Sequence, residues 1–182
     1  MPMIRECVVT TLDASNAPHI APLGLIEEGA NWVIAPFRPS TTLHNLETRG
    51  LATASFTDDA EIFAGLVTGF RDFPMQPVEG WPAQRLSDAL AHAELEVERI
   101  EPDEKRPRFI CAVRRVVSHR PFLGMNRARA AVLEAAILAT RLDRLDQDKI
   151  SREVAYLRIA VEKTAGDAEK RAWDRLMAKI EA

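Results

Sequence analysis

Five polar residues within eight positions, Arg38, Ser40, Thr41, Thr42 and Asn45, carry the chemistry most directly legible in this chain. Ser40 has the side chain of a helix N-cap, and the residues after it open a helix whose first backbone N–H groups lack intrahelical partners. A guanidinium, three hydroxyls and free N–H groups around one point form a donor set for an anion. A terminal phosphate, with about two negative charges, needs several donors already fixed in place. The plain alternative is a cap at Ser40 and a solvated charge at Arg38. Context favours the anion, because the cluster follows a strand closing in Ala35, Pro36 and Phe37, and Asn45 adds a donor one helical turn further on.

The elements that must position this loop follow from periodicity. Ile4 to Asp13 reads as a Val- and Thr-rich strand, Ala14 to Pro18 as a turn, and HIAPLGLIEE as a second, antiparallel strand. Gly29 to Asn31 turns the chain into a third strand, Trp32 to Phe37. A short helix from Ser40 ends at Gly50, Leu51 to Thr57 makes a fourth strand, and Asp58 caps AEIFAGLVTGF. Arg71 to Gln84, with Pro74, Pro77, Gly80 and Pro82, reads as a covering loop, and Leu86 to Leu90 as a short helical patch. Glu94 to Glu101 and Phe109 to His119 alternate as strands five and six, joined by a solvated charged loop. Six antiparallel strands suffice for a small barrel. Beyond Pro121 the pattern is helical: Asn126 to Leu145, a second helix marked by Ile150, Val154, Leu157 and Val161, and a third, beginning at Gly166 and Asp167, that buries Ala172, Trp173, Leu176 and Ile180. The expected class is mainly β with α, a barrel over residues 1–121 followed by a helical segment over residues 122–182.

Composition limits the partners. With 24 Lys and Arg against 27 Asp and Glu, the net charge of −3 gives no general attraction to nucleic acid or an anionic membrane surface. No apolar run approaches the ~20 residues of a membrane span, and no leader pattern opens the chain, so a soluble cytoplasmic protein is expected. Cys7 and Cys111 lie in strand-like runs without metal-ligand spacing and read as buried free thiols. No GxSxG, P-loop or metal motif is present.

The succession HIAPLG, VIAPF, RPSTTLHNL and LATASFTDD resembles the FMN-binding split-barrel flavoproteins, the superfamily of pyridoxamine-phosphate oxidase and the flavin reductases. Within it, the helical segment MNRARAAVLEAAILATRL is similar to that of the DUF447 family. The resemblance implies FMN, its phosphate on Arg38, Ser40, Thr41, Thr42 and Asn45. It places the isoalloxazine along the backbone of Ala21 to Gly24, chiefly Pro22, Leu23 and Gly24, and of Ile34 to Phe37. It further implies a homodimer with the cofactor in an intersubunit cleft, which Asn126 and Arg127 of either chain would complete. An oxidoreductase acting on an unknown small molecule is expected by analogy. The alternatives are a non-catalytic flavin carrier or sensor, and an interaction protein with an empty cleft. His19 and His44 are secondary candidates near the ring, each more simply read as an ordinary satisfied polar residue, and Trp81 is either a cover for the ring or core filler. Asp58 and Asp59 read as a carboxylate pair or, more simply, as a helix cap.

Overall fold

The structure is a computed structural model that describes residues 2–182. In chain order its elements are β1 (Ile4–Leu12), β2 (Pro18–Glu28), β3 (Asn31–Ile34), α1 (Thr41–Arg49), β4 (Leu51–Phe56), α2 (Ala60–Val67), β5 (Met75–Val78), β6 (Trp81–Leu86), β7 (Ala91–Glu101), β8 (Arg108–Ser118), α3 (Arg127–Ala139), α4 (Gln147–Thr164) and α5 (Asp167–Ile180). They divide into two compact units, one comprising the chain up to Thr57 with Phe73–Pro121, the other Asp58–Asp72 with Phe122–Ala182.

The first unit is a closed antiparallel barrel in the order β1-β2-β3-β8-β7-β4. Alternation along each strand turns one set of side chains inward: Cys7, Val9, Leu25, Ile34, Ala52, Ala54, Ala93, Leu95, Phe109 and Cys111. Small alanines on β4 and β7 leave volume for the fully buried Phe109 ring, while Leu43 and Leu46 of α1 close the same core. Ser40 caps α1 as its chemistry requires, its Oγ accepting from Leu43 N at 3.3 Å, and Gly50 ends the helix at φ 64° with its N–H on Leu46 O at 3.0 Å.

Residues 71–90 differ from expectation. In place of a loop and a helical patch, β5 and β6 form a hairpin around Glu79–Gly80, with Val78 opposite Trp81 and Gly80 at φ 72°. The prolines are compatible with strands here because a two-stranded sheet consists only of edges, where a missing N–H breaks no inner ladder. Leu86 to Leu90 is too short to nucleate a helix and forms a turn, with Ala89 N on Leu86 O. The hairpin is tied to β4: Thr53 Oγ1 donates to Ala83 O at 2.8 Å, and Leu86 N donates to Ser55 Oγ at 3.1 Å.

The second unit is helical. α3 contacts α2, α4 and α5 through an alanine-rich surface that includes Ala128, Ala131, Ala135 and Ala136, all buried. It stops at Ala139, short of the expected Leu145, and a 3-10 turn follows at Leu142–Arg144. Asp59 rather than Asp58 caps α2, accepting from Glu61 N at 2.9 Å. Asp58 instead pairs with Arg129, whose Nε also bonds Glu169 Oε1 at 2.9 Å. Trp173 is buried on α5, with the Arg158 guanidinium 5.8 Å from its ring centroid. Among the described residues no helix is long and apolar enough to cross a membrane.

Candidate functional site

The barrel is closed by hydrogen bonds, yet it parts locally beside the Arg38 loop. β2 pairs with β1 along its length from Pro18 to Ile26, but its ladder with β3 covers only Ile26↔Val33, Glu27↔Trp32 and Glu28↔Asn31. Beyond Ile26 the two chains separate, so Ala21 to Gly24 have no second strand among the described residues. An open sheet edge offers unpaired backbone N–H and C=O groups to an incoming partner. Facing this departure, β3 ends at Ile34 rather than at the expected Phe37, and Ala35 to Pro39 become a loop, consistent with Pro36 having no N–H to donate.

The loop is drawn instead to the β7–β8 turn. Arg38 N donates to Lys105 O at 2.9 Å, and Arg106 Nε donates to Ala35 O at 2.6 Å. The Arg106 guanidinium lies 4.9 Å from the centroid of the exposed Phe37 ring. Asp103 folds the turn, its Oδ1 accepting from Lys105 N at 2.9 Å and Arg106 N at 2.6 Å, bonds that hold its carboxyl below the usual carboxylate range. The charged run read as a plain solvated loop is exposed, and it also braces the anion loop.

At the anion loop, Ser40 Oγ accepts from Leu43 N and keeps its own proton available for donation. Thr41 and Thr42 open α1, with their N–H groups in the unpaired first turn; Thr41 is exposed and Thr42 buried. Arg38 is exposed and paired with Glu47 Oε1 at 3.2 Å, a surface ion pair that competes only weakly with a doubly charged ligand. These donors suit a phosphate. Asn45 does not join them: it is buried, and its Nδ2 donates to Thr11 Oγ1 at 3.0 Å, while its Oδ1 has no partner. Its position on the inward face of α1 sends the amide toward the barrel rather than the loop.

The expected ring-side residues divide between two faces. Leu23 packs against the barrel core, leaving Pro22 and Gly24 on the opposite face of β2. A Cβ on Gly24 would stand 2.7 Å from Ile4 Cγ2, so glycine here accommodates a close cross-strand neighbour. Ala35 and Pro36 are buried beside the open edge, and Phe37 is exposed. In the helical unit, Asn126 caps α3 by accepting from Arg129 N at 3.1 Å and donates to Thr164 O at 3.1 Å, whereas Arg127 is exposed. Trp81 lies on β6 with its Nε1 buried and unpartnered.

Two clusters escape a reading by sequence spacing. One is the brace at Asp103 and Arg106. The other lies at the start of β7, where His92 Nδ1 and His119 Nε2 are 2.7 Å apart with nearly coplanar rings, and His92 Nε2 is 3.5 Å from Glu94 Oε1. Arg115 binds that carboxylate at 2.5 and 2.8 Å and reaches Glu79 O of the hairpin turn at 2.8 Å. Burial lowers the pKa of His92 against the opposing pull of Glu94; burial, with Arg85 and His92, lowers that of His119. Burial also raises both thiols, Cys111 to about 12 and Cys7 further, leaving neither as a ready nucleophile.

Two family models match in succession: the N-terminal domain of a protein of unknown function, DUF447, over residues 5–120, and a second DUF447 model over residues 126–178. The chain belongs to the DUF447 family. The fold of this DUF447 chain is also that of an FMN-bound DUF447 protein from Methanosarcina mazei, with a TM-score of 0.83 at 20% identity, covering 98% of this chain and 96% of the other. Further similar structures are the 2-nitrobenzoate 2-nitroreductase of Pseudomonas fluorescens (TM-score 0.55, 18% identity, 65% of this chain and 66% of that one) and the styrene monooxygenase flavin reductase of Pseudomonas putida (0.55, 16%, 64% and 82%). No curated protein matches the sequence. The barrel is therefore the split-barrel fold of these structures, and the barrel with its helices is the fold of the Methanosarcina mazei protein.

Proposed function

We propose that this DUF447 chain binds FMN in the parting between β2 and the Ala35–Thr42 loop and acts as a redox flavoprotein. The observation that carries the reading is the coincidence of an open β2 edge at Ala21–Gly24 with a phosphate-type donor set at Arg38–Thr42. Arg38, Ser40, Thr41 and Thr42 would anchor the phosphate through charge-assisted bonds, and the Pro22–Gly24 and Ala35–Phe37 backbones would flank the ring. When bound, the flavin supplies hydride or electron transfer, while the protein sets its orientation and the polarity around it. Open backbone N–H groups of β2 are suited to stabilising negative charge on a ring oxygen or nitrogen. In this reading the working unit is a homodimer, with Asn126 and Arg127 contributing from either chain, in the cytoplasm.

The test is an FMN titration of the purified protein followed by anaerobic addition of NADH, NADPH or a reduced deazaflavin. Tight FMN binding with bleaching of the flavin by one donor supports the whole reading. FMN bound but inert to every donor leaves a carrier or sensor, and the absence of binding removes the proposal.

A further inference from the structure

The Ala35–Pro39 loop departs from β2 and is bonded to the β7–β8 turn. On the side of β2 the ladder with β3 covers only Ile26 to Glu28 among the described residues. On the other side stand two hydrogen bonds, Arg38 N to Lys105 O at 2.9 Å and Arg106 Nε to Ala35 O at 2.6 Å, and the stacking of Arg106 over Phe37. These contacts come from a turn that is itself tied by hydrogen bonds. Asp103 binds two of its backbone N–H groups, Pro102 and Pro107 bound it, and at its base Arg108 bridges Glu28 at 2.6 Å and Glu101 at 2.9 Å. Arg108 and Glu28 also link β8 to the end of β2, across the short strand β3 that lies between them.

We infer that the Pro102–Pro107 turn is the positioning element of the cleft, with Arg106 and Asp103 setting the place of the anion loop relative to the β2 edge. The inference rests on the FMN reading for its ligand. Arg106 suits this role better than Lys. Its Nε donates along one direction while the planar guanidinium lies on an aromatic face, so a single side chain fixes both the carbonyl of Ala35 and the ring of Phe37. Asp103 acts one step back, since without its carboxylate the N–H groups of Lys105 and Arg106 lose their acceptor and Lys105 O loses its fixed aim at Arg38 N. Neither residue is assigned a catalytic part.

Because the turn bonds Arg38 at the phosphate end as well as Ala35 and Phe37 beside the ring, its loss should weaken FMN more than riboflavin, which keeps only the ring contacts. Arg106→Gln is expected to weaken FMN about tenfold, the equivalent of one hydrogen bond of about 1.4 kcal/mol, and riboflavin by about threefold. Arg106→Lys, which keeps a donor and a charge, should recover part of that loss. Asp103→Ala should reproduce Arg106→Gln, and the double variant should fall short of the summed effects because both act through one turn. Hydrogen exchange of the flavin-free protein supplies an independent reading: the Arg38 amide should exchange faster in both variants, with the core amides of β7 unchanged. FMN and riboflavin weakened alike, or no change in Arg38 exchange, would overturn the inference. If the wild type binds no FMN while Arg38 exchange responds as expected, the brace stands and the cofactor assignment falls.

Discussion

Replacing Arg38 by Ala together with Thr42 by Val should weaken FMN by about 2.5–3 kcal/mol, or roughly 60- to 150-fold in Kd. The two residues contribute differently. The Arg38 side chain is 43% exposed and already paired with Glu47, so solvent and competition reduce its bond to phosphate to about 1 kcal/mol. Thr42 is only 3% exposed, and a hydroxyl bonding a dianion from such a position falls in the range of about 1.5–2 kcal/mol. Val preserves the shape of Thr, so α1 and its packing through Leu43 and Leu46 should be retained, which thermal unfolding would verify. Flavin fluorescence quenching gives the affinity, and riboflavin, lacking the phosphate, serves as the internal control. Glu47→Gln should act in the opposite sense, releasing Arg38 and tightening FMN about twofold. An FMN affinity unchanged by the double substitution, or an equal loss for riboflavin, would refute the phosphate assignment.

Further outcomes follow from groups outside the loop. Asn45→Ala should cost about 1–2 kcal/mol of stability in urea unfolding, through loss of the bond to Thr11, and leave FMN affinity within about twofold, because the amide faces the barrel. His92 and His119 have pKa values below the ordinary 6.5 in the folded protein, so the unfolded chain binds their protons more readily. Their contribution to stability is fully present above 6.5 and is lost as pH falls below it; urea unfolding from pH about 8 to about 5.5 should show the decline, and His92→Gln should flatten it. Cys7 and Cys111 should resist iodoacetamide in the native protein at mildly alkaline pH and react on unfolding, as mass spectrometry would register.

The barrel was legible wherever side chains alternate over a long run, as in β1 and in the shared stretch of β7 and β8, because a period of two leaves a strong trace. Ser40 and Gly50 marked α1 by local chemistry alone. The β5–β6 hairpin was obscured because Pro77 and Pro82 carry the same signal in an edge strand as in a loop, and only tertiary placement distinguishes them. The orientation of Asn45 was hidden for a related reason: proximity in sequence to Ser40 and Thr42 suggests a shared ligand, while helical geometry turns its amide toward Thr11. Arg106 and His92 were silent. Each acquires its role from a partner far along the chain, Ala35 for one and His119 for the other, and no local pattern encodes such pairings.

FMN binding is tested most directly by the absorbance spectrum of the purified protein, with mass spectrometry of whatever it releases on denaturation. The expected result is a yellow protein, or one that turns yellow and stays so through desalting after addition of FMN, and that releases the mass of FMN. A colourless protein that remains colourless after FMN is supplied would contradict it.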